Sequence, residues 1–243
     1  MSGDILDAWS MFRALQRHKV DDLNHIDRLL ADHGSPDTPP ILLDLCSGIG
    51  RTVPLALQHG WNVVCIDADE AALATTQQIA PTRITCHIAD LAAPGIATLP
   101  TCRGILCAHN AANEVGTLQP LFEIAADTLH DDGWFYLDLL TDTYPRPFEL
   151  EHVLRIESTD PGVWLLDTAM VPLAENRHRL HLIATHYDLN GRQINQTHHA
   201  LIRVVFPHEV VVGYGRKYGL HLHEKSGNHY VFRRRRPSSK KGG

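Results

Sequence analysis

Between residues 41 and 140 the chain alternates short apolar runs with helix-patterned stretches, and this rhythm restricts the fold more than any other feature. The runs "ILLDL" (41–45), "NVVCIDA" (62–68), "RITCHIAD" (83–90), "RGILCAHNA" (103–111) and "WFYLDLL" (134–140) read as five strands. "RTVPLALQHG", "DEAALATTQQIA" and "LQPLFEIAADTLHDDG" read as helices between them. Near-continuous apolar strands are buried on both faces, as in a parallel sheet covered by helices. Crossovers between successive strands are expected to be right-handed. The predicted fold class is α/β, with a mostly parallel sheet and helices on both faces.

The flanks read differently. Residues 4–33 are patterned as helix. "DDLNHIDRLLADHG" puts Leu23, Ile26, Leu29 and Leu30 on one face, and Gly34 follows as a stop. "SPDTPP" (35–40) breaks the helix and serves as a connector. After about Glu149, the segments 153–158, 163–173, 178–189 and 194–206 read as longer strands. In "RLHLIATHY", Leu180, Leu182 and Ala184 alternate with more polar positions, and Asn190-Gly191 marks a hairpin. An antiparallel β insert after the fifth strand is expected. "PHEVVVGYGRKYG" (207–219) reads as a helix and "LHLHEKSGNHYVFRR" as a closing strand pair. The expected organisation is an N-terminal helical lid (1–40) and an α/β core (41–150), then a substrate-side β insert (151–206). A C-terminal helix with closing strands (207–232) and a disordered basic tail (233–243) complete it.

No apolar stretch reaches the roughly 20 residues that span a bilayer. "MSGDILDAWS" lacks the basic and apolar regions of a signal peptide. A cytoplasmic protein with no membrane partner is the expectation. The five cysteines (46, 65, 86, 102 and 107) form no C-x-x-C pair, which fits reduced core thiols. Net charge is −6, but "RRRRPSSKKGG" holds 6 of the 22 Lys and Arg and no acid. The remainder carries 16 basic against 28 acidic residues, or −12. An acidic body argues against nucleic acid as a partner, because phosphate contact needs positive surface. The tail reads as a solvated end. A homo-oligomer is compatible with the sequence but not specified by it.

The loop in "LLDLCSGIGR" (42–51) lies where open α/β sheets bind ligands, at the carboxyl ends of strands. Registered on Gly48, a G-x-G-x-x-G fingerprint finds Cys46, Gly48 and Arg51, so two glycines are missing. No Gly-Lys-Ser/Thr ending follows, which excludes a P-loop. The run has the form D-x-small-x-G-x-G, in which Gly48 and Gly50 let the backbone approach a ligand. Asp67 ends the second strand, where a carboxylate can accept from both ribose hydroxyls. Asp90 ends the third, placed to take an adenine amino group. With Asp44, three acids end three successive strands at a site with no phosphate to repel them. That suits a cationic nucleoside such as S-adenosylmethionine. Each acid alone is also what a strand end or N-cap carries, and for Asp69 the N-cap reading is preferred.

These features, over roughly 41–140, resemble class I S-adenosylmethionine-dependent methyltransferases. "LLDLCSGIG" looks like their first motif, with Cys46 where glycine or alanine is usual. The resemblance implies a Rossmann-like sheet and S-adenosyl-L-methionine as cofactor, released as S-adenosyl-L-homocysteine. It places Asp44, Gly48 and Gly50 near the methionine part, with Cys46, Ser47 and Ala108 as further contacts. It assigns Asp67 to the ribose, Ala68 to the side of the adenine, and Asp90 with the Leu91 backbone to the adenine edge. "ILCAHNAANEV" (105–115) is similar to the fourth-strand motif of small-molecule N-methyltransferases of the glycine and sarcosine type. Asn110 matches that motif. Glu114 stands where those enzymes tend to have histidine, and His109 replaces a glycine. The implied activity is methyl transfer to nitrogen or oxygen of a small-molecule acceptor by in-line displacement.

A sulfonium is already a good leaving group, so such a protein mainly supplies alignment, worth roughly 7–11 kcal/mol. His109 is the first candidate base or orienter, with an exposed loop histidine as the plain alternative. Glu114 pairs a cationic amine, or simply favours a helix N-terminus. Tyr144 completes the catalytic candidates, and His208 is a candidate pocket residue. Trp9 and Phe12 are candidates for a lid, and Arg17 or Lys19 for the cofactor carboxylate. The histidines at 181, 186, 198, 199, 221 and 223 have no accompanying H-E-x-x-H or carboxylate framework, so no metal site is assigned. Two rival readings stand beside this one. A nicotinamide oxidoreductase is disfavoured by the missing glycines. A non-catalytic cofactor-binding scaffold would use the basic tail to dock RNA.

Overall fold

The structure is a computed structural model that describes residues 21–33, 39–93, 98–141, 151–153, 163–174 and 176–234. Trp9, Phe12, Arg17, Lys19 and Tyr144 lie outside the described residues. Two compact units emerge. The larger contains the described residues 21–141 and 206–234, and the smaller those between 151 and 205.

The first part of the larger unit runs α1 (Asp21–His33), β1 (Ile41–Leu45), α2 (Val53–Gln58), β2 (Asn62–Asp67), α3 (Glu70–Gln77) and β3 (Ile84–Ile88). It continues with β4 (Cys102–Cys107), α4 (Ala111–Val115), α5 (Gln119–Thr128) and β5 (Leu129–Asp138). The smaller unit holds β6 (Glu151–Val153), β7 (Val163–Ala174), β8 (Arg177–Tyr187) and β9 (Gln193–Val204). The chain then returns with α6 (His208–Lys217), β10 (Leu220–Ser226) and β11 (His229–Arg234).

Seven strands form the main sheet, in the order β10-β11-β5-β4-β1-β2-β3. β1 pairs in parallel with both β2 and β4, β2 with β3, and β4 with β5. β11 runs antiparallel to β5 and to β10, so the expected closing pair forms the antiparallel edge of this sheet. Leu42, Leu43, Cys65, Ile66, Ile105, Leu106 and Cys107 are fully buried, which is why their strands read as continuous apolar runs. Ile26 and Leu30 from the apolar face of α1 join this core. Trp61 donates from Nε1 to Leu30 O at 3.0 Å and meets Trp134 edge-on at 6.0 Å. Toward the other edge Phe122 packs edge-on against Phe135 and Phe232.

Three boundaries differ from the sequence expectation. β4 ends at Cys107, because His109 (φ 67) and Asn110 (φ 58) turn the chain through left-handed conformations into α4. β5 begins at Leu129, not Trp134. Leu129 pairs with Cys102, and a bulge between Cys102 and Gly104 absorbs the extra residues. The polar "HDD" at 130–132 reads like a helix end but is the exposed start of this strand. Finally, Arg233 and Arg234 belong to β11 rather than to a disordered tail. Arg234 donates to Ala126 O, and Arg233 Nη2 lies 3.3 Å from His33 Nε2.

The smaller unit is an antiparallel sheet in the order β6-β7-β8-β9. Leu180, Leu182 and Ala184 are its buried row, as their alternation predicts. The turn between β8 and β9 is organised by Asp188, whose Oδ1 accepts the N–H groups of Asn190 and Arg192. Gly191 supplies the positive φ of 78°. No helix among the described residues is long and apolar enough to cross a membrane.

Gly104 marks where the core is tightest. A Cβ there would stand 2.7 Å from Trp134 Cζ2 and 2.9 Å from Leu42 Cδ1. Overpacking of this kind costs about 1–3 kcal/mol. Gly104→Ala is therefore expected to lower stability by that amount in urea titration, and an unchanged midpoint would show that the sheet centre yields freely.

Candidate functional site

The loop between β1 and α2 is built on left-handed residues. Cys46 (φ 57), Gly48 (φ 53) and Gly50 (φ 73) all adopt positive φ. The two glycines serve different ends. A Cβ at Gly50 would lie 2.6 Å from Thr76 Cγ2, so Gly50 permits packing against α3. A Cβ at Gly48 would meet nothing within 4 Å, so its Cα faces open space. The loop is tied to β2 through Asp67. Gly48 N–H donates to Asp67 Oδ2 at 2.7 Å and Asp69 N–H to Oδ1 at 2.9 Å. Each of those oxygens retains a second lone pair. The Thr76 hydroxyl bonds Gly48 O at 3.0 Å from the opposite side. Ser47 N–H closes the loop onto Ile66 O at 3.2 Å.

Cys46 meets Cys107, the last residue of β4. Its contact with the Cys107 thiol, together with burial, pushes its own thiol well above the ordinary range. Asp44 lies beneath the loop, buried, and accepts from the Thr52 hydroxyl. Burial pushes its carboxyl up to about 6; the Thr52 bond and Arg51 charge oppose the rise and the Asp67 charge adds to it. Ala89 N–H donates to Asp67 O at 2.9 Å, keeping the chain after β3 beside the tip of β2. Asp90 itself is exposed, and its Oδ1 accepts Ala92 N–H at 2.8 Å. Leu91 and Ala108 are buried and Ala68 is exposed. Asp69 caps α3 by accepting Ala72 N–H at 3.0 Å.

A second group of charges gathers around His109. Arg51 donates from both terminal nitrogens to the two oxygens of Asp22, in the first turn of α1. His109 Nδ1 lies 3.6 Å from Asp22 Oδ2, and His109 N–H donates to Asp138 Oδ2 at 3.1 Å. Burial raises the Asp22 carboxyl, but the His109 ring and the Arg51 guanidinium override it and hold it well below the usual range. Burial and the Asp22 charge push Asp138 up to about 6, against His109 and Arg51. Behind it, His229 Nδ1 stands 3.8 Å from Asp138 Oδ1 and 2.7 Å from the Tyr136 hydroxyl. Among the described residues, donor atoms of Asp22, His109 and Asp138 lie within 4.8 Å of one another, a spacing a metal ion could use. Arg51 bonds both Asp22 oxygens, so an ion there would share the carboxylate with a guanidinium.

Glu114 sits half-buried on α4, one residue after Asn113. Asn113 is fully buried and exchanges two bonds with Leu140: Nδ2 donates to its O at 3.0 Å, and its N–H donates to Oδ1 at 2.9 Å. That clamp fixes α4 against the segment after β5. His208 begins α6, with Nδ1 3.2 Å from the Tyr230 hydroxyl. Sequence reasoning missed Asp22, Arg51 and Asp138. A signal for one existed: Asp138 is the single acid inside the apolar run "WFYLDLL".

The buried Asp44 sets a pH dependence. Its folded-state pKa of about 6 lies above the ordinary 3.8, so ionised Asp44 opposes folding. The penalty is absent below the unfolded value, grows between pH 4 and 6, and reaches about 3 kcal/mol above that. Asp44→Asn, which can still accept from Thr52, is expected to raise the thermal midpoint at pH 8 and to lose that gain toward pH 4. An equal effect at both pH values would remove ionisation as the cause.

No family model matches the sequence, and no curated protein matches it. The fold does have solved counterparts. It superposes on the sugar N-methyltransferase KedS8 from Streptoalloteichus with a TM-score of 0.77 at 14% identity, covering 97% of this chain and 96% of that one. Streptomyces venezuelae DesVI gives 0.75 at 14%, covering 94% and 97%. CalS10 from Micromonospora echinaspora, an amino pentose methyltransferase solved with bound S-adenosylmethionine, gives 0.75 at 14%, covering 97% and 100%. The chain therefore carries the fold seen in these solved methyltransferases.

Proposed function

We propose that this protein is an S-adenosylmethionine-dependent methyltransferase acting on nitrogen or oxygen of a small molecule. The observation that carries the proposal is the Gly48–Asp67 closure. A glycine with open space over its Cα is bonded to a carboxylate that retains acceptor capacity, at the carboxyl ends of adjacent parallel strands. Those residues fit an adenosine-bearing ligand. Asp67 would accept from the ribose hydroxyls, with Ala68 beside the adenine. Asp90 and the Leu91 N–H would read the adenine edge. Cys46, Ser47, Gly48, Gly50 and Ala108 would line the path of the methionine part. Asp44, held beneath the loop, would supply negative charge to a cationic ligand.

When bound, S-adenosylmethionine supplies an electrophilic methyl carbon on a good leaving group. What this chain adds is alignment and charge. His109, at the tip of β4, orients the acceptor and takes its proton. Glu114 on α4 attracts a cationic amine. Tyr144 is proposed as a further catalytic residue. The structural counterparts described as a sugar N-methyltransferase and an amino pentose methyltransferase favour nitrogen as the accepting atom. The acidic body fits a small cationic acceptor and opposes nucleic acid.

Calorimetry with S-adenosylmethionine tests the site, with NAD as the control ligand. Two charge-assisted hydrogen bonds are worth about 3 kcal/mol or more together, so Asp67→Asn is expected to weaken binding about 100-fold and Asp67→Ala further. Circular dichroism should stay that of the parent. Binding that survives both substitutions at full strength would remove Asp67 from the site, and tighter binding of NAD would replace the cofactor assignment.

A further inference from the structure

We infer that Asp22 is the positioning residue for His109, holding its ring so that Nδ1 faces the carboxylate as a donor and Nε2 keeps the lone pair. The inference rests on the methyltransferase reading above and names a residue from outside the cofactor-binding strands. Its basis is an inventory of lone pairs. Asp22 Oδ1 accepts from Leu23 N–H at 2.9 Å and from Arg51 Nη1 at 3.2 Å. Oδ2 accepts from Arg51 Nη2. That accounts for three of the roughly four acceptor positions of a carboxylate. The remaining one is on Oδ2, the oxygen that faces His109 Nδ1 at 3.6 Å.

An ionised carboxylate only accepts, so the ring atom turned toward it carries the hydrogen. In a neutral imidazole the other nitrogen then holds the lone pair. The backbone of His109 is fixed independently. Its N–H is held by Asp138 and its φ of 67° is left-handed. Two acids from two different elements thus set the main chain and the ring of one half-buried histidine. A histidine that merely occupied a loop would need neither. Asp22 is 5% exposed, so its charge is removed from water to make this contact rather than spread on a helix surface.

In the proposed reaction the acceptor amine forms a bond to the methyl carbon as the sulfur–carbon bond breaks, its electron pair passing to sulfur. The methylated ammonium then gives its proton to Nε2. The imidazolium is balanced by Asp22, and the proton leaves to water.

The ring can be read directly by nitrogen-15 NMR on the full chain labelled at histidine, with His109 assigned from the signal lost in His109→Gln. At pH 8 the wild-type ring is expected as the Nδ1–H tautomer. In Asp22→Asn, Arg51 retains the amide oxygen, the amide NH₂ turns to His109, and the ring should shift to the Nε2–H tautomer. S-adenosylmethionine affinity should stay within about twofold, since Asp22 is assigned no cofactor contact. An Nε2–H tautomer in the wild type overturns the inference even if the variant fails to fold. So does a ring signal that changes on chelator treatment or restores on adding Zn²⁺, which would make the cluster a metal site. Loss of cofactor binding by the wild type would instead sink the methyltransferase reading and leave the tautomer result standing.

Discussion

Parallel pairing of β1 with β2 on one side and β4 on the other is the constraint from which the site follows. The strand order reverses at that point, so the connections leave in opposite directions and a crevice opens at the carboxyl edge. Register decides what reaches it. Asp44 lies opposite Cys65 and Leu106, and Cys107 lies opposite Leu137. The loop after β1, Asp67 at the end of β2, His109 after β4 and Asp138 at the end of β5 all leave the sheet at that edge. The apolar strand interiors make this register strict, because a one-residue slip would turn Leu43 and Leu106 away from their own layers.

Placing acids at that edge works against the fold. Asp44 and Asp138 are buried, and each has a carboxyl pushed up to about 6. Asp22, deeper in charge terms, is stabilised by Arg51 and the His109 ring. One guanidinium bonds Asp22 and its charge also offsets part of the rise at Asp44 and Asp138, whose hydrogen bonds come from the Thr52 hydroxyl and the His109 N–H. A sequence selected for stability alone would place asparagine or an apolar residue at such positions. Local rules are broken where a site demands it, and the residual negative charge is what a cationic ligand would relieve.

The fold was legible because its signals are local and repeated. Strand runs, helix stops and the Asn190-Gly191 turn each carry their own physics. β5 was misjudged at its start because "HDD" is polar, and only pairing with Cys102 makes those residues strand. The turn after β1 was legible too, since Gly48 and Gly50 mark a left-handed loop and Asp67 a strand end that the loop meets. The His109 cluster was not. Asp22 and Arg51 stand 29 residues apart, and so do His109 and Asp138. An acid in the first turn of a helix is what any helix favours, so nothing local distinguishes Asp22 from a surface residue. Its role appears only when α1 is packed on the core through Ile26 and Leu30.

The turn after β4 shows how such a cluster is held. His109 and Asn110 are successive non-glycine residues at positive φ, a conformation costing about 1–2 kcal/mol per residue. Glycine at either position would relieve that cost, and "HN" stands there instead. The turn is restrained at both ends. Asp138 accepts the His109 N–H, and Asn113, three residues beyond the turn, exchanges two bonds with Leu140. Both anchors belong to β5 and the residues that follow it, so one strand fixes the geometry of its neighbour's loop. The strain and its anchors together place a particular side chain at the strand tip, which is the arrangement expected where position matters more than stability.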